Sequence, residues 1–98
     1  MSDYSFDDNT QKVLDLLQEE CAEIIQIISK IRRFGFGSYN PYDPEPRKTN
    51  LQLLNDELGD FKLLYDQLLR RGVVDEDQID KRVKWKRQVH YNSSLFCD

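Results

Sequence analysis

Residues 49–72 read TNLQLLNDELGDFKLLYDQLLRRG, and this stretch decides the fold class of the chain. Its apolar positions recur every three or four residues, at Leu51, Leu54, Leu58, Phe61, Leu64 and Leu68. This spacing places the apolar side chains on one face of an α-helix. Thr49 and Gln52 have the spacing of a capping box, and Gly72 marks the end of the pattern. The sequence therefore predicts an amphipathic helix over residues 49–71.

Periodic stretches also lie on either side of this helix. The apolar positions of the upstream stretch are Val13, Leu14, Leu17, Cys21, Ile24, Ile28 and Ile31. Their spacing predicts a helix over residues 10–33, with Asp8 or Thr10 as its N-cap. Downstream, Asp75 repeats the capping pattern more weakly, which predicts a third helix over residues 75–90.

The segment between the first two helices has a different composition. Residues 34–48 contain two glycines, three prolines and four aromatic residues. Glycine and proline interrupt helices, so this segment is predicted to be a long loop. The sequence as a whole predicts an all-α fold in a single domain over residues 1–98.

Composition excludes several classes of function. The chain of 98 residues is 39% hydrophobic and 33% charged, and no apolar run approaches the roughly 20 residues that cross a bilayer. Its net charge of −4 disfavours binding to a nucleic acid polymer, which rests mainly on lysine and arginine. Cys21 and Cys97 have neither metal nor disulfide-framework spacing, and residues 1–4 do not resemble a secretory signal. We expect a cytoplasmic protein that contacts no membrane.

Acidic residues occupy positions where the helical pattern calls for apolar ones. Glu20 falls within the apolar stripe of the first helix with Glu23 beside it, while Glu57 and Asp60 are placed similarly on the second. The two i, i+3 pairs can converge across a helix pair. Gathering ionised carboxylates away from water is costly, so a cation is expected among them. Mg²⁺ suits oxygen ligands and substrate phosphates.

Two other interpretations compete with a magnesium site. Either acidic pair taken alone is equally compatible with a solvated helix face, because glutamate is abundant on exposed helices. A di-iron carboxylate bundle requires a Glu-x-x-His motif on each of two helices, and His90 is the only histidine. The occurrence of both acidic pairs within apolar stripes of successive helices favours Mg²⁺.

The sequence around these acids resembles that of MazG-like, all-α NTP pyrophosphohydrolases. Residues 19–23, EECAE, are similar to the EExxE motif of that family, and residues 57–60, ELGD, are similar to its ExxD motif. Residues 84–87, KWKR, are similar to its later lysine-aromatic-x-arginine segment. The resemblance extends from Leu14 to Val89 and implies a helical bundle of the same type.

The resemblance implies both a reaction and roles for individual residues. The reaction is hydrolysis of a nucleoside triphosphate, here a dNTP, between the α and β phosphates to a monophosphate and pyrophosphate, which controls or cleanses the nucleotide pool. The implied ligands of Mg²⁺, or of Mn²⁺ as its substitute, are Glu20, Glu23, Glu57 and Asp60. Glu19 is an additional ligand or positions the attacking water, so the predicted catalytic residues are Glu19 and Glu20. Short members of this type occur in bacteria and phages.

Substrate contacts are expected from cations and aromatic residues. The cations predicted to meet phosphates are Lys30, Lys84 and Arg87. The aromatic residues predicted to stack on the base are Tyr39, Tyr42 and Trp85. Simpler roles are also open to them, since cations near helix ends oppose the macrodipole and aromatic side chains anchor loops. Gln88 and Lys62 depart from the pattern of the family, which leaves the phosphate contacts less defined than the metal ligands.

Three helices do not easily enclose both a carboxylate cluster and a core. A second protomer is therefore expected to complete a four-helix bundle, in a homodimer or homotetramer. The resemblance implies the same assembly, with active sites close to the subunit interface. The alternative function is a non-catalytic helical module that binds a partner helix, or a regulator that binds nucleotides without hydrolysing them.

Overall fold

The computed structural model describes residues 6–90, and its regular elements are helices. Helix α1 spans Asp8–Phe34, α2 spans Asn50–Arg70 and α3 spans Glu76–Trp85, and a π-helical segment, Lys86–His90, continues from α3. The prediction of an all-α fold is confirmed. The chain divides into two units, one ending at Leu68 and the other beginning at Leu69. No helix in the described range combines the length and hydropathy needed to cross a bilayer.

The first helix begins two residues earlier than its periodicity predicts. Asp7 is the N-cap, and its carboxylate accepts a hydrogen bond from the backbone N–H of Thr10 at 2.7 Å. Asp8 and Thr10, the predicted caps, both lie inside the helix. At the other end Gly35 has a φ of 93°, which suits glycine, and its N–H donates to the carbonyl of Ile31 at 2.7 Å.

Hydrogen bonds attach the start of α2 to the end of α1. The backbone N–H of Asn50 donates to the Ser38 carbonyl at 2.8 Å, and its side-chain Nδ2 donates to the Gly35 carbonyl at 3.1 Å. The predicted capping box is present: the N–H of Gln52 donates to Thr49 Oγ1 at 3.2 Å, and the N–H of Thr49 donates to Gln52 Oε1 at 2.8 Å. The loop therefore holds these two helix ends side by side.

The two long helices run antiparallel, because the start of α2 is bonded to the end of α1 and Glu57 of α2 meets Glu20 and Glu23 in the middle of α1. We call the line along which the two helices face each other the seam. The side chains buried along it are Thr10, Val13 and Ile27 of α1 and Asn50, Leu64 and Leu68 of α2. Glu20 lies midway between two of these residues, seven positions from each of Val13 and Ile27. Glu57 is likewise seven positions from each of Asn50 and Leu64. Seven residues rise about 10.5 Å, so the two glutamates form the middle layer of the seam.

The core of this first unit is thin. Within residues 6–90 no side chain is completely buried, and the seam side chains retain 5–8% of their exposure. The large apolar side chains of α1 and α2 that stay exposed include Leu16, Ile25, Ile28, Leu51, Leu58 and Leu63. Ile25 at 69% and Leu63 at 62% are the most exposed of these. Each helix of a pair can bury only the face that meets its partner, so these apolar side chains on the outward faces stay exposed.

The second unit is built around α3. Gly72, with a φ of 70°, follows α2, and Asp75 caps α3 by accepting hydrogen bonds from the N–H groups of Asp77 at 2.9 Å and Gln78 at 3.4 Å. The guanidinium of Arg82 lies 4.1 Å from the centre of the Trp85 ring. The helix predicted over residues 75–90 is thus α-helical as far as Trp85 and π-helical beyond it.

Candidate metal centre and the adjoining pocket

Three of the predicted carboxylates meet at the middle of the seam. One oxygen from each of Glu20, Glu23 and Glu57 lies within 4.8 Å of the other two, and all three side chains are half-buried. Helix α1 supplies two of them at i, i+3, and α2 supplies the third from across the seam. Oxygens bound to one Mg²⁺ at about 2.1 Å are roughly 3 to 4 Å apart. These three residues, the carboxylate cluster, therefore need only a small contraction to share an ion.

The other two predicted acids are exposed and lie outside that group of three. Asp60 is one turn beyond Glu57, rotated by about 60° around α2. Glu19 is four residues before Glu23 on the exposed edge of α1. In an antiparallel helix pair, positions rotated in the same sense from the seam face the same side. Asp60, Glu19 and Glu23 therefore border the same side of the seam.

Two oxygens of the carboxylate cluster have no hydrogen-bond donor. Oε2 of Glu20 and Oε2 of Glu57 are fully buried, and no donor among residues 6–90 reaches either atom. An ionised carboxylate only accepts hydrogen bonds, so two ionised groups cannot satisfy each other. Unsatisfied buried charge is costly. The arrangement therefore requires either a shared proton or a cation.

Without a cation, a proton is retained on Glu57. The pKa of Glu57 is raised from 4.5 to about 8, first by a hydrogen bond with Glu20, then by burial, and further by a hydrogen bond with Glu23 and the negative charges of both partners. The hydrogen bond with Glu20 exists only when Glu57 carries the proton. When both groups are ionised, each keeps one buried oxygen without a hydrogen-bond donor. No lysine or arginine of the described residues lowers this pKa.

A pocket of about 370 Å³ lies at the loop end of the helix pair, and its walls do not include the residues of the carboxylate cluster. Its walls come from the end of α1, the loop and the start of α2, and include Lys30, Phe34, Tyr39, Asn40, Asn50 and Leu53. Lys30 and Tyr39 were predicted from the sequence. Asn50 was missed, because a residue beside a capping box looks like part of the helix start. We call this the loop pocket.

The remaining predicted contacts lie elsewhere. Tyr42 is 93% exposed and is not part of the loop pocket. Lys84, Trp85 and Arg87 belong to the second unit, in which Trp85 lines an open groove of about 760 Å³ together with Ile79. Their contact with a nucleotide stays a prediction.

No family model, curated protein or solved structure matches this chain. Cys21 is exposed and is a free thiol, while Cys97 lies outside the described residues. The carboxylate cluster and its surroundings are therefore the features that indicate a function.

Proposed function

We propose that this protein is an Mg²⁺-dependent hydrolase that cleaves nucleoside triphosphates between the α and β phosphates, yielding a nucleoside monophosphate and pyrophosphate. The observation that carries the proposal is the carboxylate cluster, in which two buried oxygens have no donor. A purely structural seam would gain stability from apolar residues at Glu20 and Glu57, because breaking the hydrophobic layer with acids is costly. Placing acids there is consistent with a requirement for a cation.

The donor set suits Mg²⁺. All donors are carboxylate oxygens, which magnesium and manganese prefer, and the described part of the cluster offers neither sulfur nor imidazole. Glu20, Glu23 and Glu57 would hold the ion, and Asp60 would add a fourth carboxylate from the same side of the seam. Bound Mg²⁺ would supply charge neutralisation for the phosphates and a means of activating water. Mn²⁺ would serve as a substitute.

Residues beside the cluster would handle the water and the phosphates. Glu19 and Lys30 lie on the same edge of α1 as Glu23. Glu19, exposed to solvent, would orient the attacking water and accept its proton, as a general base does. The water oxygen bonds to the α phosphorus, the bond from that phosphorus to the bridging oxygen breaks, and pyrophosphate leaves with the bond electrons. Lys30 would neutralise part of the phosphate charge.

A second copy of the chain would cover the outward faces of α1 and α2. Ile25 and Leu63 are too exposed to contribute to the core of a single chain. Burying apolar surface is favourable by about 25 cal/mol per Å², and an antiparallel helix pair becomes a four-helix bundle when it pairs with another. We therefore include a homodimer or homotetramer in the proposal.

The test is release of monophosphate and pyrophosphate from a panel of NTPs and dNTPs, with and without Mg²⁺ or Mn²⁺. The key variant is Glu57→Gln, which resembles the protonated glutamate and so should fold as well as the original chain. We expect it to lose metal-dependent turnover by at least a hundredfold, whereas Asp15→Asn, an exposed acid of α1 outside the cluster, should retain activity. Equal activity of Glu57→Gln and the unmodified chain would refute the proposal.

The exposed apolar faces favour a second candidate, a module that binds a partner helix without catalysis. Ile25 and Leu63 would then contact another protein. This function predicts no turnover with any metal ion and an intact fold in Glu57→Gln, so the same assay separates the two candidates.

A further inference from the structure

The loop pocket has the composition of a site for a flat, polar-edged molecule. Phe34 and Tyr39 contribute aromatic surface, and the two residues are 60% and 49% exposed. Leu53 supplies an apolar wall. Small-molecule sites are pockets of about 300 to 1,000 Å³ lined by apolar and aromatic groups with a few polar ones, and at about 370 Å³ this pocket is near the lower limit.

A buried amide gives the pocket a fixed polar contact. Asn50 is 5% exposed, and two hydrogen bonds to the carbonyls of Ser38 and Gly35 hold it in place. An asparagine side chain has two N–H donors and one acceptor oxygen, and the bond to Gly35 uses one of the N–H groups. An amide in the wall of the pocket offers the donor and acceptor chemistry that also occurs along the edge of a nucleobase.

The pocket is also aligned with the carboxylate cluster. One stripe of the α1 surface carries Glu20, Glu23, Lys30 and Phe34, which follow one another at intervals of three, seven and four residues. Lys30 lies about 10.5 Å beyond Glu23, and Leu53 lies about 6 Å before Glu57 along α2. Both borders of the pocket therefore lie on the side of the seam that Glu23 and Asp60 share. The order along this side is carboxylates, then a cation, then aromatic residues.

The geometry points to the loop pocket as the binding site for the base of the nucleotide whose phosphates lie at the carboxylate cluster. This inference rests on the proposed function and adds the group that recognises the substrate. Lys30 stands between the two ends, where a phosphate or the sugar would pass. Asp43, which also lines the pocket, would repel a phosphate that entered it. The base therefore enters the pocket, and the phosphates stay outside.

Tyr39 is the residue with which to test the site. The guanidinium of Arg47 lies 5.5 Å from the centre of its ring, which holds the ring in place, and only backbone atoms of Tyr39 pair with Thr49 in the loop. Tyr39→Leu removes the aromatic face and keeps an apolar side chain, whereas Tyr39→Phe keeps the face. Phe36→Leu is the matched control, because Phe36 is an exposed aromatic residue of the same loop outside the pocket.

The experiment compares dissociation constants for a nucleoside triphosphate analogue that cannot be cleaved between its α and β phosphates and for inorganic triphosphate, both with Mg²⁺. Stacking of one base contributes enough that Tyr39→Leu should weaken binding of the analogue roughly tenfold or more. Binding of inorganic triphosphate should change less than twofold. Tyr39→Phe and Phe36→Leu should both bind the analogue like the unmodified chain.

Two results would overturn the inference. One is equal affinity of Tyr39→Leu and Phe36→Leu for the analogue. The other is a parallel loss of inorganic triphosphate binding, which would mean that Tyr39 only supports the loop. Binding is measured without turnover, so the two proposals fail separately. A chain that binds the base through Tyr39 but hydrolyses nothing refutes the hydrolase alone, and a chain that hydrolyses substrate with Tyr39→Leu unaffected refutes the base site alone.

Discussion

Binding of Mg²⁺ should expel a proton from the carboxylate cluster, and the amount is set by the pKa of Glu57. With a pKa of about 8, close to 0.9 of the Glu57 side chains hold a proton at pH 7, about 0.5 at pH 8 and about 0.1 at pH 9. An ion that requires ionised ligands competes with this proton. Each Mg²⁺ bound at pH 7 should therefore release about 0.9 of a proton.

The same competition fixes how the apparent affinity depends on pH. Between pH 6 and pH 7 the affinity for Mg²⁺ should rise about ninefold, and between pH 7 and pH 8 about fivefold. Above pH 8 the rise should fall below twofold per unit, because few protons remain to be displaced. The direction follows from the raised pKa: a higher pH removes the competitor and strengthens binding.

Isothermal titration calorimetry measures this release directly. Titrations of Mg²⁺ at pH 7 in buffers with different ionisation enthalpies give the number of protons transferred to the buffer. Asp15→Asn should behave like the unmodified chain, while Glu57→Gln has no proton to release and should bind Mg²⁺ far more weakly. Tight binding without proton release at pH 7 would show that the ion does not displace the proton shared by Glu20 and Glu57.

Four further predictions concern stability and assembly. Without metal the free energy of unfolding should fall as the pH rises from about 4.5 to 8 and then level off, since the folded state holds the Glu57 proton more tightly than the unfolded chain. A single proton limits the slope to about 1.4 kcal/mol per pH unit, and solvent screening of the half-buried side chain lowers it further. The midpoint of thermal unfolding should show the same trend, and Glu57→Gln should remove it. Glu20→Leu should raise the metal-free midpoint by completing the apolar seam and should abolish the shift that Mg²⁺ produces, so a lower midpoint in calorimetry would contradict our account of the seam. Asp7→Ala should cost about 1 kcal/mol through loss of the α1 cap, with Asn9→Ala nearly neutral in the same denaturant titration. If a second copy covers Ile25 and Leu63, the midpoint should rise with protein concentration, and a midpoint independent of concentration would argue for a monomer.

Helix positions follow from the sequence because their cause is local. The three- and four-residue spacing identifies α1 and α2 from their own residues, and the Thr49 capping box is found where it was predicted. The predicted N-cap of α1 was wrong for a related reason. Residues 7–10 read DDNT, and every one of them is a good cap, so local preference cannot choose among them.

Less of the candidate site could be predicted from the sequence, because the site depends on contacts between residues that are distant in the chain. The i, i+3 spacing placed Glu57 and Asp60 on one side of α2, but the rotation of α2 about the seam decides which carboxylate faces α1. The loop pocket depends on hydrogen bonds from Asn50 to Gly35 and Ser38, and periodicity carries no information about such bonds. Composition identified residues 34–48 as a loop without showing that they build a wall of the loop pocket.

The glutamate layer in the seam also bears on how the two helices find their alignment. The apolar stripes of both helices repeat about every seven residues, so a slip of α1 against α2 by seven residues would keep the two stripes facing each other. Such a slip would place Glu20 opposite Asn50 or Leu64, and Glu57 opposite Ile27 or Val13. Neither acid could then share a proton or an ion with the other, and burying a glutamate against an apolar side chain is costly. The pair of acids therefore favours one register, as a single buried polar residue does in a coiled coil.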